Sequence, residues 1–457
     1  MLRIHNSLTG RKDAFTPRVQ GEVGLYVCGV TVYDYCHLGH ARFLLVFDSV
    51  VRHLEASGLR VNYVRNITDV DDKIIKRAQE NDEATEQLTE RFVDEFHADC
   101  TALGLREADQ EPRATVHMPQ IIDMVQRLIA NGHAYAAANG DVYFSVSSYD
   151  NYGALSGKRL DELRIGARIA PGEAKRDALD FVLWKAAKPG EPAWSSPWGE
   201  GRPGWHIECS AMSTHCLGDA FDIHGGGMDL KFPHHENEIA QSVCATGASF
   251  AATWMHNGFV QVGSEKMSKS LGNFSTIRDL LADYSGETIR HFILGTHYRS
   301  PLVYTREALD VAEQGLLRWY TVLDAVKPGA SYQASDYTAR FVAAMDDDFN
   351  TPQAYAVLHE MVKAINTGKT AEPQAAAALA AEFKALAGRL GLLQADPDSV
   401  LKAGVALSEA DIDARIAART QAKADKDYAL ADQIRDELSA AGIQLEDGPA
   451  GTTWRRA

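Results

Sequence analysis

Short apolar stretches in the first part of the chain predict two strands on either side of an amphipathic helix. Residues 24–30 form a β-rich run that ends at glycine, and residues 61–68 form a second one. Between them, apolar positions from about 41 to 56 recur with helical spacing and stop before Gly58, a typical helix terminator. A strand, a helix and a strand in this order make a βαβ unit. We therefore expect an α/β fold with a Rossmann-like, doubly wound parallel sheet.

The same alternation of strands and helices returns later in the chain. Residues 220–224 and 253–256 predict two further strands, and the stretch from about 234 to 245 between them has helical spacing. In such sheets ligands bind beyond the carboxyl ends of the strands. We therefore assign a split catalytic domain to residues 1–115 and 201–262, with its site in the loops that follow the strands.

Between the two halves of this domain the pattern changes. Residues 141–146 alternate like an antiparallel strand, and Pro-Gly pairs interrupt the sequence that follows. We expect residues 116–200 to form an inserted connective subdomain. Later, helical spacing dominates and predicts a helical bundle over 305–394, a linker near 395–399 and a small α+β C-terminal domain over 405–457.

The composition is that of an ordinary globular protein. Of the 457 residues, 45% are hydrophobic and 24% are charged. No apolar run approaches the ~20 residues of a membrane span, and the amino terminus shows no secretory leader. Six cysteines in a chain of this length do not form a disulfide scaffold. We therefore expect a cytoplasmic multidomain protein with no membrane partner.

The net charge is −16, because 62 acidic residues outnumber 46 basic ones. This excess argues against nonspecific coating of nucleic acid but does not exclude local contact, since charged patches bind independently of the total. Residues 152–176 contain six basic and three acidic side chains, a basic tract within the predicted insertion. The sequence is thus compatible with a selectively bound nucleic acid.

Two histidines stand where the first strand meets its helix, in the sequence Cys-His-Leu-Gly-His-Ala-Arg of residues 36–42. At a helix amino terminus, His37 and His40 can both face an anion held by the terminal N–H groups. Gly39 between them lets a nucleotide approach the backbone closely. The alternative is an ordinary strand–helix turn with partly exposed histidines.

A lysine-containing loop follows the last predicted strand of the sheet. Residues 264–273 have the sequence Ser-Glu-Lys-Met-Ser-Lys-Ser-Leu-Gly-Asn, in which small polar residues surround Lys266 and Lys269. Such a loop can close on a polyphosphate and neutralise the charge that develops as pyrophosphate leaves. The alternative is a solvated basic loop.

Four residues near the predicted sheet edge have the chemistry of metal ligands. His234 and Glu238 are four residues apart in a helix that we expect to open with Pro233 in its first turn, so they share one face. Cys28 and Cys209 add two thiols, which makes a Cys/Cys/His/Glu zinc site possible. Spacing alone does not bring the four together, and a buried thiol remains the alternative for each cysteine.

The histidine and lysine motifs, in this order, resemble the HIGH and KMSKS motifs of class I aminoacyl-tRNA synthetases, with Leu38 in place of isoleucine. More narrowly, four segments resemble the bacterial cysteinyl-tRNA synthetase family: residues 28–34, 204–209, 225–230 and 232–238. The resemblance extends over essentially the whole chain, including residues 346–352 and 451–456.

This resemblance implies a role for each candidate residue. The zinc ligands would be Cys28, Cys209, His234 and Glu238. The substrate cysteine would lie against Gly29, Thr68 and Trp205. Catalysis and ATP binding would fall to His37, His40, Lys266 and Lys269, and ATP would also contact Gly227 and Asp229, unless Asp229 caps a helix. Three further histidines would either support the site residues or be ordinary buried histidines: His206, His224 and His235.

The activity implied by the resemblance is ATP-dependent activation of L-cysteine to cysteinyl-adenylate and its transfer to the 3′ end of tRNA(Cys). One Zn2+ per chain would distinguish a thiolate from the hydroxyl of serine without an editing domain, and Mg2+ would accompany ATP. Residues 263–304 would hold the KMSKS loop and a tRNA-stem contact region, and residues 405–457 the anticodon-binding domain. We expect a monomer.

The same motifs fit two other functions. A cysteine ligase of the mycothiol-pathway type forms the same adenylate but uses an amino-sugar acceptor, and it lacks an anticodon-binding domain. A catalytically inactive, zinc-containing RNA-binding paralogue need not keep both motifs. Trp454, Arg455 and Arg456 offer a stacking surface and charge to RNA, which favours the tRNA ligase, although a frayed terminus is the alternative.

The substitution Lys269→Ala tests the role of the lysine loop. We expect kcat for ATP–pyrophosphate exchange to fall by about 100-fold with little change in the KM for cysteine, because the ammonium group acts on departing pyrophosphate. Exchange kinetics at varied cysteine concentration measure both quantities. Equal losses in kcat and in cysteine affinity would contradict the assignment.

Overall fold

A computed structural model describes residues 1–166, 174–263, 265–267, 272–448 and 451–456 of the chain. The chain divides into two compact units. The first comprises Met1–Ala312, Ser335–Val357 and Arg389–Gly391. The second comprises Glu313–Ala334, Leu358–Gly388 and Leu392–Ala457.

Helices and short strands alternate through most of the chain. The strands are β1 (Arg3–Asn6), β2 (Arg11–Ala14), β3 (Glu22–Thr31), β4 (Arg60–Thr68), β5 (Ala134–Ala136), β6 (Val142–Phe144), β7 (Phe181–Ala186), β8 (Trp194–Ser196), β9 (Gly199–Pro203), β10 (Ala220–Gly227), β11 (Phe250–Asn257), β12 (Val260–Val262), β13 (Glu265–Lys266), β14 (Leu302–Tyr304), β15 (Ile443–Gly448) and β16 (Gly451–Arg456). The helices are α1 (Leu38–Ala56), α2 (Asp72–Glu80), α3 (Thr85–Ala102), α4 (Met118–Ala130), α5 (Leu160–Gly166), α6 (Trp205–Leu217), α7 (Glu236–Thr246), α8 (Ile277–Leu281), α9 (Gly286–Leu294), α10 (Arg306–Ala325), α11 (Asp336–Asp346), α12 (Thr351–Ala371), α13 (Pro373–Gly388), α14 (Pro397–Lys402), α15 (Glu409–Ala424) and α16 (Tyr428–Ala440).

A parallel sheet with the strand order β11–β10–β3–β4 forms the centre of the first unit. Helix α1 connects β3 to β4, and α7 connects β10 to β11. The successive residues Leu25, Tyr26 and Val27 of β3 point to alternate faces and are all fully buried, as expected for a sheet that is covered on both faces. The predicted α/β fold with a doubly wound parallel sheet is confirmed.

An antiparallel sheet with the order β5–β6–β7–β9–β8 lies in the sequence between β4 and α6. Its buried Phe144 and Trp184 belong to the same apolar core as residues of α4 and α6. The sequence predicted only the strand at β6, because proline and glycine interrupt the part of the chain that forms β7, β8 and β9. Helices α2 and α3 were likewise not predicted.

The second unit contains a small carboxyl-terminal domain formed by α15, α16 and the β15–β16 hairpin. Trp454 is only 7% exposed and packs with Ile412, Leu438 and Ile443 in the core of this domain. The expectation that Trp454 offers a stacking surface was therefore wrong. The predicted linker near residue 395 was also partly wrong, because it contains the start of α14.

No helix in the described ranges of the chain is long and apolar enough to cross a membrane.

The close packing of α1 on the central sheet depends on a glycine. A Cβ atom at Gly225 in β10 would lie 2.3 Å from the ring of Phe47 on α1, whereas at Gly24 in β3 it would be 3.4 Å from its nearest neighbour. We expect Gly225→Ala to lower the free energy of unfolding by about 1–3 kcal/mol, the usual effect of overpacking a core. Chemical denaturation of this variant and of the control Gly24→Ala measures it. Equal stability of the two variants would contradict this account.

Candidate active site and metal centre

Four potential metal ligands converge near the carboxyl end of the central sheet. Cys28 lies on β3, Cys209 on α6, and His234 and Glu238 follow β10. Their ligand atoms all lie within 4.8 Å of one another. The two sulfur atoms are 3.8 Å apart, and Cys28 Sγ is 3.5 Å from Glu238 Oε1. The structure thus brings together residues that are far apart in the sequence.

All four side chains are buried, and their charges determine one another. Burial raises the pKa of the Glu238 carboxyl, but His224 and His234 outweigh it and hold this pKa well below its usual range. A hydrogen bond with Cys28 lowers the pKa of the Cys209 thiol to about 6, whereas burial raises that of Cys28. The anionic forms of Glu238 and Cys209 are therefore favoured, as metal ligation requires.

His234 lies in an irregular turn rather than in a regular helix. Residues Lys231–His235 form a π-helical turn in which Phe232 has extended backbone angles, and α7 begins only at Glu236. The prediction that Pro233 opens the helix was therefore wrong. His234 Nε2 still lies 3.0 Å from Glu238 Oε1.

Other histidines surround the cluster. His206 Nδ1 lies 2.8 Å from His234 Nδ1, so that the Nε2 atom of His234 faces the cluster. His224 Nε2 lies 2.8 Å from Glu238 Oε2. His235 Nδ1 lies 2.8 Å from His256 Nε2. His206 thus holds the ring of His234, and His224 holds the carboxylate of Glu238.

A second possible ligand group overlaps the first. Cys28, His224, His235 and Glu238 also place ligand atoms within 4.8 Å of one another. This group, however, contains one thiol rather than two. The group with two thiols matches the preference of zinc for sulfur donors more closely.

The three residues expected to contact cysteine lie close to this cluster. The indole of Trp205 stacks on the ring of His234 with centroids 4.2 Å apart. Gly29 lies at an irregularity in the pairing of β3 with β4, where a Cβ atom would lie 1.8 Å from Asn66 O. Asn66 accepts a hydrogen bond from Gly29 N and donates one to Thr68 Oγ1. Asn66 thus connects two of the predicted residues, and the sequence analysis missed it.

His37 and His40 form the amino-terminal cap of α1. His37 Nδ1 accepts a hydrogen bond from Gly39 N, and His40 Nδ1 accepts one from His37 N, each at 3.0 Å. A neutral imidazole whose Nδ1 accepts a hydrogen bond carries its proton on Nε2. The cap therefore orients both rings so that Nε2 is the donor atom, which suits an anionic ligand.

The residues expected to contact ATP include an ion pair. Lys266 Nζ lies 3.2 Å from Asp229 Oδ2, so Asp229 contacts the lysine loop rather than capping a helix. A Cβ atom at Gly227 would lie 2.5 Å from Asp229 Oδ1, so Gly227 lies directly beside the Lys266–Asp229 ion pair. Lys269 lies outside the described residues.

Backbone hydrogen bonds join the two signature segments. Leu38 N donates to Ser275 O at 3.0 Å, and Ile277 N donates to Cys36 O at 2.9 Å. The amino terminus of α1 is therefore hydrogen-bonded directly to the segment that follows the lysine loop.

The sequence analysis missed Glu236, although it lies inside a segment that was singled out. Its carboxylate accepts hydrogen bonds from the backbone N–H groups of Gly153, Leu155 and Ser156 at 3.0, 3.4 and 2.7 Å. These contacts join the inserted region to α7. The only sequence signal for a role of Glu236 was its position two residues from each of the predicted ligands His234 and Glu238.

Family profiles match most of the chain. Residues 14–314 match "tRNA synthetases class I (C) catalytic domain". Residues 340–394 match the DALR domain, and residues 408–455 match "Cysteinyl-tRNA ligase anticodon binding domain".

Curated relatives are similar over the full length. A protein named Cysteine--tRNA ligase from Thioalkalivibrio sulfidiphilus is 60% identical over 461 residues, and one of the same name from Methylococcus capsulatus is 59% identical over 464. In both comparisons 100% of each chain is covered.

Solved structures show the same fold at low sequence identity. A Mycobacterium tuberculosis methionyl-tRNA synthetase in complex with methionyl-adenylate superposes with a TM-score of 0.58 at 16% identity, covering 81% of this chain and 90% of that one. An Agrobacterium radiobacter LeuRS in a ternary complex gives 0.58 at 11% identity, with 94% and 95% covered. Together with the matched profiles and the relatives of the same length, this shows that the chain belongs to the cysteinyl-tRNA synthetase family of class I aminoacyl-tRNA synthetases.

Proposed function

We propose that this chain activates L-cysteine with ATP and transfers the cysteinyl group to the 3′ end of tRNA(Cys). The observation that carries the proposal is the buried Cys28–Cys209–His234–Glu238 cluster at the same sheet edge as the capped histidine pair of α1. The curated relatives of the same length, named Cysteine--tRNA ligase, support it.

Zinc is the metal that fits this cluster, with one ion per chain. Two sulfur atoms, one imidazole nitrogen and one carboxylate oxygen are donors that zinc accepts in tetrahedral sites, whereas Mg2+ and Ca2+ prefer oxygen alone. When bound, zinc supplies a Lewis acid that stabilises a thiolate. Thiolate binding would distinguish cysteine from serine, for which an apolar pocket alone offers only about 1–3 kcal/mol.

The substrate cysteine would lie between the metal cluster and α1. Trp205 is 39% exposed although it stacks on His234, so its indole provides an accessible wall. Asn66 holds Thr68 and the backbone of Gly29 in place beside it. These fixed groups would orient the amino acid, so that its carboxylate points towards the nucleotide.

In the activation step, the cysteine carboxylate attacks the α-phosphate of Mg-ATP and pyrophosphate leaves. His37 and His40 would donate hydrogen bonds from Nε2 to phosphate oxygens, and Lys266 and Lys269 would neutralise the departing charge. Gly227 and Asp229 would contact the adenosine. Because Lys266 pairs with Asp229, arrival of ATP would replace that ion pair with new contacts.

The transfer step requires the 3′ end of the tRNA at this site and recognition elsewhere. We assign the catalytic domain to residues 1–115 and 201–262, the inserted subdomain to 116–200, and the loop and stem-contact region to 263–304. The helical bundle would occupy 305–394 and the anticodon-binding domain 405–457. The matched anticodon-binding profile supports the last assignment. We propose that the chain works as a monomer.

The choice of acceptor separates this function from its alternatives. We expect cysteine-dependent ATP–pyrophosphate exchange, none detectable with serine, and charging of tRNA(Cys) but not of an amino sugar. Exchange assays and acceptor assays with both compounds measure this. Use of the amino sugar alone would establish the mycothiol-type ligase, and absence of exchange would establish the inactive paralogue.

Loss of the hydrogen bond to Glu238 Oε2 should weaken metal binding. His224→Phe keeps an aromatic ring against Trp254 but leaves this buried oxygen without its donor. We expect metal affinity to fall by about 10–100-fold, as is typical for partners of metal ligands. Zinc retained per chain during titration with a chelator measures it, with the exposed His215→Phe on α6 as control. Unchanged zinc retention would refute the supporting role of His224.

A further inference from the structure

Arg42 lies two residues after His40 on α1 and is only 1% exposed. Its Nη2 atom donates hydrogen bonds to three backbone carbonyls, those of His297, Tyr298 and Ser300, at 3.3, 3.2 and 2.5 Å. In the described part of the chain no carboxylate pairs with it, and burial lowers its pKa to about 10. A buried charge balanced only by carbonyl dipoles requires those carbonyls to stay in place.

The segment that accepts these bonds also anchors the start of the lysine loop. Gly258 N donates to Tyr298 O at 2.8 Å, and Leu302 N donates to Phe259 O at 2.9 Å. Strand β12 begins at the next residue, Val260, and leads to Lys266, whose Nζ lies 4.4 Å from the centroid of the Phe259 ring. Arg42 and Gly258 therefore donate hydrogen bonds to the same carbonyl oxygen, that of Tyr298.

Asp348 also holds this segment, through the side chains of Tyr298 and Arg299. It is fully buried and accepts hydrogen bonds from Tyr298 Oη, Arg299 Nε and His5 N at 2.7, 2.8 and 2.8 Å. It belongs to residues 346–352, which carried the family resemblance but have no role in the proposed function. Its φ of 65° lies in the left-handed region that aspartate and asparagine tolerate.

We propose that Arg42 and Asp348 are positioning residues that clamp segment 297–300 between them and so align the histidine motif with the base of the lysine loop for adenylate formation. The inference rests on the proposed activation step. Neither residue needs to touch a substrate, because Arg42 acts through the backbone carbonyls of the segment and Asp348 through the side chains of Tyr298 and Arg299. Adenylate formation needs both motifs, whereas transfer from preformed adenylate does not need the lysines that act on pyrophosphate.

The test compares activation with transfer in the full-length, zinc-loaded enzyme. Arg42→Met keeps side-chain length without charge, and Arg42→Lys supplies three donors on one nitrogen for the three carbonyls. Asp348→Asn keeps the left-handed backbone but replaces one acceptor with a donor. We expect the single-turnover rate of adenylate formation to fall about 100-fold for Arg42→Met and about 10-fold for the other two, since misplacement by about 1 Å can cost that much.

The rate of transfer from preformed cysteinyl-adenylate to tRNA(Cys), the KM for cysteine and the zinc content should stay within about twofold of the wild type. Arg52→Met on the same helix, which removes the ion pair with Asp48, serves as control and should leave both rates unchanged. Equal losses in activation and transfer, or a lower melting temperature with normal rates per folded enzyme, would overturn the proposal.

If Arg42→Met does not fold, Arg42→Lys and Asp348→Asn still test the proposal through the same comparison of adenylate formation with transfer. Wild-type activity separates this inference from the function on which it rests. A wild-type enzyme without exchange activity would refute the proposed function, whereas an active wild type with unaffected variants would refute only the clamp.

Discussion

The buried carboxylate of Glu238 constrains the whole candidate metal cluster of Cys28, Cys209, His234 and Glu238. It is completely buried and stays ionised because His224 contacts one of its oxygens and His234 the other, at 2.8 and 3.0 Å. A buried carboxylate that loses a hydrogen-bond partner is costly, so the three side chains hold one another in position. His224 lies on β10 and Glu238 on α7, with the turn that carries His234 between them. The pairing therefore fixes strand, turn and helix together.

Helix α7 carries a second buried carboxylate that acts in the same way. Glu236 accepts three backbone hydrogen bonds from residues 153–156, so the inserted region cannot leave α7 without exposing or stranding a charge. One helix thus joins the metal cluster and the insertion. Arg42 and Asp348 show the same principle near the histidine motif, where Arg42 holds three backbone carbonyls and Asp348 holds the side chains of Tyr298 and Arg299. Buried charges thus fix chain segments both at the cysteine-containing cluster and beside α1.

The sequence predicted the parts of this arrangement that depend on local pattern. The βαβ unit, the helix that ends before Gly58 and the helical character beyond residue 305 follow from apolar spacing, and the structure confirms them. Assembly of the cysteines with His234 and Glu238 depends on strand order and on an irregular turn, neither of which spacing encodes. Only the family resemblance supplied it.

The functional residues that the sequence did not reveal are mostly buried polar side chains. Asn66, Glu236 and Arg42 are nearly inaccessible, yet polar residues of these types are usually found at surfaces. Nothing in their sequence neighbourhood shows that each of them bonds to backbone groups of a distant segment. Trp454 shows the converse error, since a terminal aromatic residue looked accessible but completes a small core. The short strands of the inserted region and helices α2 and α3 were also missed. Their intrinsic strand and helix propensities are weak, and they depend on tertiary packing.

The lysine loop follows a different principle from the rest of the site. The side chains of Lys266 and Asp229 are 44% and 54% exposed, and exposed ion pairs contribute only about 0–1 kcal/mol. Breaking this pair therefore costs little, whereas a buried Glu238 carboxylate that loses a hydrogen-bond partner costs more. In the proposed function, this difference would separate a fixed part that selects the amino acid from a part that can rearrange around ATP. Such a division suits a reaction in which selectivity requires rigid ligands and pyrophosphate release requires groups that can follow the departing charge.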